Sequence, residues 1–203
     1  MRRDRGPLMP FDLQVTRTPA HLSGSGSATL QRARRNQPRN MCANGSMMVR
    51  PAKPADVPAM LTLIRELAAY EREPDAVTMT AEQLSDALFR SHPHLFGHVV
   101  EVDGAVVGLA LWFLNFSTWE GTHGVYLEDL YVVPSMRGNG AGRALLSALA
   151  DVCLQNGYAR LELSVLDWNL PAIGFYRSIG AVGMDDWTVQ RVGGDALAAL
   201  ARG

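Results

Sequence analysis

The segment Leu127-Glu-Asp-Leu-Tyr-Val-Val-Pro-Ser-Met-Arg-Gly-Asn-Gly-Ala-Gly-Arg143 constrains this chain more than any other. It reads as a strand, a short turn and the start of a helix. The strand half is apolar except for two adjacent acids, Glu128 and Asp129. In the turn half, glycines at 138, 140 and 142 let backbone amides lie bare against a ligand. The helix behind them turns its positive end the same way, which makes the turn a place for phosphate. Carboxylates beside a phosphate cradle suggest chemistry on a cationic group brought by a phosphorylated carrier.

Other glycine-rich turns fit less well. The string Gly-x-x-x-x-Gly-Lys-Ser/Thr of a P-loop is absent. A Gly-x-Gly-x-x-Gly dinucleotide fingerprint counted from Gly138 fails, because Arg143 stands at its last position. Glu162 imitates the ribose-binding acid of that fold, yet the antiparallel hairpins upstream do not belong to it.

The charge is divided unevenly. Residues 1–48 carry eight Arg against two Asp, whereas residues 49–203 carry eleven Lys/Arg against eighteen Asp/Glu. A near-neutral total therefore conceals a basic tail on an acidic domain. Residues 1–47 have no sustained apolar periodicity, so they are expected to be a disordered tail. Their Arg-rich, acid-poor composition is also that of a transit peptide, and a start at Met47 or Met48 is the plainer expectation. Eight scattered arginines without interleaved aromatics give no case for nucleic acid. Residues 48–203 suit one domain, long enough to bury about 70% of its unfolded surface. No apolar run reaches the roughly 18–20 residues that cross a membrane. Two cysteines, Cys42 in the tail and Cys153 in a predicted helix, are no disulfide framework, which points to the cytoplasm.

Within the domain, Val49 to Pro51 is a first strand. Asp56 is a candidate N-cap for an amphipathic helix from Val57 to about Glu71. Thr80 caps a shorter helix through Phe89. His98–Val102 and Ala105–Phe116 pair through the Asp103-Gly104 turn. Gly124–Val133 is the next strand, and Ala141–Gln155 is a helix stopped by Asn156-Gly157. Arg160–Val165 is a strand, Asn169–Ile179 a helix, and Val182–Val192 a final extended pair. Antiparallel strands followed by a βαβα unit make an α/β fold with a mixed sheet.

At this point the residues resemble a known superfamily. Arg137-x-x-Gly140-x-Gly142 after Leu130-Tyr-Val-Val133 is similar to the acyl-CoA signature of GNAT N-acetyltransferases. Asp167-Trp-Asn169-Leu-Pro-Ala-Ile-Gly-Phe175-Tyr176 resembles that superfamily's second half. Leu63-Ile-Arg-Glu-Leu-Ala-Ala-Tyr70-Glu71 and Tyr126-Leu-Glu128-Asp129 narrow the likeness to the spermidine/spermine (diamine) and thialysine N-acetyltransferases. The resemblance implies the GNAT fold, with splayed central parallel strands, and acetyl-CoA as co-substrate. It implies that backbone groups of Leu130, Tyr131 and Val132 pair with the carrier's arm. The turn Arg137, Gly138, Asn139, Gly140, Ala141, Gly142 and Arg143 would hold its pyrophosphate, and Asn169 and Ala172 would contact it further along. Tyr70, Glu71, Glu128, Asp129 and Asp185 would face the amine, with Trp119 as a lid, in a homodimer sharing residues across its interface.

The mechanism follows from acidities. A primary amine, pKa near 10, arrives protonated and cannot attack a thioester. Glu128 is the expected base, aided by a raised pKa, with strand amides near Leu130 opposite the developing oxyanion. Tyr176 is the expected acid for the departing thiolate. The acidic domain fits a small cationic acceptor such as a polyamine, a diamine or a lysine-like amino acid. Alternatives are protein or antibiotic amines as acceptors, or a non-catalytic acyl-CoA-binding module. Cys153 reads as core. His92, His94 and His98 mimic metal-ligand spacing, but Pro93 and the adjoining strand favour a loop entering a strand, and no metal is expected. Asn115-Phe-Ser117 matches a glycosylation sequon inside a predicted strand and is discounted.

Overall fold

A computed structural model describes residues 46–203. The expectations placed on the tail lie, but for residues 46 and 47, outside the described residues. The rest divides into two compact units at the Leu163/Ser164 junction.

The first unit is built on a five-stranded sheet in chain order: β1 (Met48–Pro51), β2 (Phe96–Val102), β3 (Ala105–Ser117), β4 (Thr122–Val132) and β5 (Leu161–Leu163). The first four run antiparallel, and β5 joins β4 in parallel, so the sheet is mixed as the pattern requires. The β2–β3 turn forms because Asp103 and Gly104 both adopt positive φ, 51° and 81°. Helices α1 (Val57–Tyr70) and α2 (Ala81–Phe89) precede β2, and α3 (Ala141–Asn156) links β4 to β5. Thr80 caps α2 as expected, its side chain accepting from the Gln83 N–H at 3.2 Å.

The cap expected of Asp56 is not made. A 3-10 turn at Pro54–Asp56 precedes α1, and the Asp56 carboxylate accepts from the Lys53 N–H at 2.8 Å instead. Both oxygens also take Arg50 of β1, at 2.6 and 2.9 Å, and Arg50 reaches Glu101 of β2 at 2.7 Å. The guanidinium holds the Asp56 carboxyl below the usual carboxylate range.

Apolar side chains cover both faces of the sheet. Met60, Leu61, Leu63 and Ile64 of α1 and Leu84 and Leu88 of α2 pack with Val99, Leu109, Leu111 and Tyr131. On the alternate positions Val100, Ala110, Trp112, Val125 and Leu127 are also buried, and α3, with Leu145, Leu146, Leu149 and Cys153 buried, packs against β2, β3 and β4. Each such Leu or Met contributes roughly 1.5–3 kcal/mol.

The second unit holds α4 (Leu170–Ser178) and α5 (Gly194–Arg202). The extended pair expected over Val182–Val192 does not form. Val182, Met184, Trp187 and Val189 are exposed there, and no strand is assigned in this stretch. Helix α5 was not anticipated; Asp195 in its first turn and Arg202 in its last suit its dipole.

Candidate active site

The site is shaped by one extra residue. Leu111 pairs with Asp129 and Trp112 with Leu127, so Glu128 is inserted in β4 without an opposite number. Paired residues share a face of the sheet. Leu127 therefore lies with Trp112 on the α3 side, and Asp129 with Leu111 on the α1 side. Without the bulge, two residues of the same parity would share one face. The insertion thus turns Asp129 toward the end of α1, where Glu71 follows Tyr70. Burial, and then the charges of Glu128 and Glu71, push the Asp129 carboxyl up to about 6. Burial raises Glu71 as well. Glu128, the expected base, is exposed, whereas Asp129 is half-buried.

Arg137 stands at the same corner. Its guanidinium carbon lies 5.1 Å from the Tyr70 ring centre and 5.3 Å from that of Tyr131. Its Nε donates to the Val132 carbonyl at 2.9 Å, and its backbone N–H to Pro134 at 3.2 Å. Tyr131 is buried, and burial, then the charge of Glu66, raises its phenol above the ordinary value. The sequence reading gave Arg137 to the carrier; its side chain lies between the Val132 carbonyl, on the open β4 edge, and the rings of Tyr70 and Tyr131. Glu66 and the Tyr131 ring were missed, although Glu66 precedes Tyr70 by one helical turn and so shares its face.

The carrier's expected place has an open strand edge. Pairing of β4 with β5 runs only from Val125 to Leu127. The Val133 N–H donates to the Val107 carbonyl at 3.0 Å, continuing the β3–β4 register. In an antiparallel ladder the hydrogen-bonded pairs alternate, so Tyr131 spends its backbone groups on Leu109. Leu130 and Val132 point theirs to the uncovered edge. Of the three residues expected to pair with the carrier, two face outward and Tyr131 does not.

The turn that follows has the required geometry. Gly138 and Gly140 take φ of 77° and 86°, with open space where a Cβ would stand, so conformation and not room calls for glycine. The first α3 bond runs from the Ala144 N–H to Gly140 at 2.9 Å. Helix geometry then leaves the amides of Gly140, Ala141, Gly142 and Arg143 without a helical acceptor. Gly138, Asn139 and Arg143 are exposed.

Other candidates lie elsewhere. Trp119 is at the β3–β4 hairpin, 89% exposed. From Thr122, the first residue of β4, the bulge is about six residues further, roughly 20 Å along the strand. It does not cover the Tyr70–Asp129 corner of its own chain. In the second unit, Asn169 and Ala172, expected to touch the carrier, make the α4 cap: the Ala172 N–H donates to Asn169 Oδ1 at 3.3 Å. Tyr176 lies on α4 beside Phe175, with ring centres 5.4 Å apart, and Asp185 is exposed. The His98 ring accepts from the Trp112 indole N–H at 3.1 Å, and burial lowers its pKa. Cys153 is buried, as expected. Asn115 gives its side-chain amide to Glu162. Among the described residues no cluster of metal-ligating side chains occurs, and no helix is long and apolar enough to cross a membrane.

A mixed sheet with an open β4 edge, ending in a glycine turn at a helix N-terminus, has the backbone geometry that suits a phosphate-bearing carrier laid along a strand. The sequence profile of the acetyltransferase (GNAT) family matches residues 60–181, and the chain belongs to that family. It is an acetyl-transferring enzyme. It is 38% identical over 166 residues to a thialysine N-epsilon-acetyltransferase of Bos taurus, covering 76% of this chain and 97% of the relative. An L-ornithine N5-acetyltransferase of Arabidopsis thaliana is 29% identical over 197 residues, covering 75% and 86%. An integron cassette protein from the mobile metagenome of V. cholerae superimposes with a TM-score of 0.67 at 25% identity, covering 78% of this chain and 99% of its own.

Proposed function

We propose that the protein transfers an acetyl group from acetyl-CoA to the primary amine of a small cationic molecule: a polyamine, a diamine or a lysine-like amino acid. The observation that carries this is the acidic corner of Tyr70, Glu71 and Asp129, next to the open β4 edge and the glycine turn. Relatives named for thialysine and ornithine support the lysine-like class, and a relative named for spermidine/spermine supports the polyamine class. Acetyl-CoA supplies an activated thioester. The Leu130 and Val132 amides on the open edge are placed to bind its arm, and the amides of Gly140 to Arg143 its pyrophosphate. Glu71 and exposed Glu128 draw in the ammonium. The base role passes from Glu128 to Asp129, because a carboxyl near 6 accepts a proton at neutral pH better than an ordinary one. Tyr176 returns a proton to the departing thiolate. The enzyme works as a cytoplasmic homodimer.

The test is to incubate the protein with acetyl-CoA and spermidine, putrescine, thialysine, ornithine, a lysine peptide or an aminoglycoside. Free thiol and the product's mass are then followed. Acetylation of the free amines only, in one class or the other, is expected. Acetylation of the peptide or aminoglycoside alone moves the acceptor class, and carrier binding with no product on any amine favours a binding module. Tyr176→Phe is expected to lower kcat about 100-fold with acetyl-CoA affinity unchanged. Full turnover in that variant removes Tyr176 from the acid role.

A further inference from the structure

We infer that Arg72 is a specificity residue that selects acceptors bearing a carboxylate, so that the amine acetylated is that of a lysine-like amino acid. The inference narrows the proposed function and rests on its reading of the Tyr70–Asp129 corner as the acceptor face. Arg72 directly follows Glu71, where α1 stops. The stop is a two-bond cap: the Arg72 N–H donates to the Ala69 carbonyl at 3.2 Å, and the Glu73 N–H to the Ala68 carbonyl at 2.9 Å. The residue at this turn takes the left-handed conformation, for which glycine is the usual choice. Here it is arginine, at φ 69°. A side chain in that conformation costs roughly 1–2 kcal/mol. A cation at an exposed helix end returns only about 0.3–1 kcal/mol. Helix stability alone therefore favours glycine, and the guanidinium calls for another role.

The corner supplies that role. Glu71, Glu128 and Asp129 suit the ammonium end of an acceptor and repel any carboxylate that comes with it. The acceptor classes differ in that one group: diamines and polyamines lack it, and lysine-like amino acids carry it. Arg137, also at the corner, is set between the Val132 carbonyl and the Tyr70 and Tyr131 rings. Arg72 is exposed and stands one residue, about 3.8 Å between α-carbons, from Glu71. Its side chain is long enough to meet a carboxylate whose amine lies at Glu71 and Asp129, and its forked donors match that group in two parallel bonds.

Ornithine is putrescine with a carboxylate added, so the ratio of their kcat/KM values with acetyl-CoA isolates that group. Wild type is expected to prefer ornithine. Arg72→Gly, which suits the left-handed backbone, is expected to melt no lower than wild type and to lose about tenfold in kcat/KM for ornithine. Its kcat/KM for putrescine and its coenzyme A Kd are expected to stay within about twofold of wild type. Arg72→Lys, which keeps the charge but not the fork, is expected to fall between the two. A role confined to the helix end predicts a shifted melting temperature with the ratio unmoved, and that result overturns the inference. An equal loss on both amines also overturns it, as does a wild type that prefers putrescine, which leaves the corner an amine site. Wild-type protein that binds coenzyme A but acetylates neither amine overturns the acceptor reading itself, and this inference with it.

Discussion

At the scale of single residues, the site depends on where a carboxyl is buried, not on which carboxyl stands in a motif. Glu128 and Asp129 are neighbours in sequence, yet the bulge exposes one and desolvates the other. The raised Asp129 carboxyl has a stability consequence. A folded-state value of about 6 lies above the usual carboxylate range, so the folded protein holds the extra proton between the two. Stability then falls as pH rises through that window and stays lower above it. Asp129→Asn is expected to be about 1–3 kcal/mol more stable than wild type at pH 7.5 and nearly equal to it at pH 4. Thermal melts at the two pH values check this; a less stable variant at pH 7.5 contradicts the assignment. Glu128 and Asp129 were legible as an acid pair, but their division of labour was not. Alternation along a strand says which residues share a face only until a bulge resets it, and nothing in the local composition announces the bulge.

At the scale of elements, the strands and helices of the first unit were readable because each carries its own period and its own stop. Asp103-Gly104 and Gly157 end their elements by adopting positive φ, as their residue types allow. Two elements failed for different reasons. The alternating apolar residues over 182–192 look like strands, but a strand needs a partner for its backbone as well as a pattern. Asp56 has the residue type of a cap, yet Arg50, arriving from β1, offers a stronger, charged bond than the α1 amides. That tie gives a prediction at its own scale. Arg50→Met leaves the Asp56 carboxylate, 5% exposed, without its cation and is expected to cost about 2–4 kcal/mol. Asp56→Asn in the same background is expected to recover part of the loss. Urea melts of the three proteins test it, and an Arg50→Met protein as stable as wild type sinks the claim.

At the scale of the whole molecule, the carrier's place was more legible than the acceptor's. The glycine turn is local, and its backbone geometry follows from its residue types. The acceptor corner draws Glu66, Tyr70 and Glu71 from α1, Asp129 and Tyr131 from β4, and Arg137 from the segment beyond. Residues that distant in sequence meet only after folding, which is why the contacts of Arg137 with the Tyr70 and Tyr131 rings were not legible. The charge asymmetry of the chain also belongs to this scale, since the acidic part carries the whole acceptor corner. Deleting residues 1–45 is expected to leave melting temperature unchanged and kcat/KM within about twofold. A tenfold fall in kcat/KM gives those residues a part in catalysis.

The most direct test of the acceptor corner is the pH dependence of kcat/KM for the preferred amine, in wild type, Asp129→Asn and Glu128→Gln. If Asp129 takes the proton, wild type and Glu128→Gln share an acid limb near 6, and Asp129→Asn loses both that limb and most of its rate. An acid limb that persists in Asp129→Asn and vanishes in Glu128→Gln contradicts the account and returns the base role to the exposed residue of the bulge.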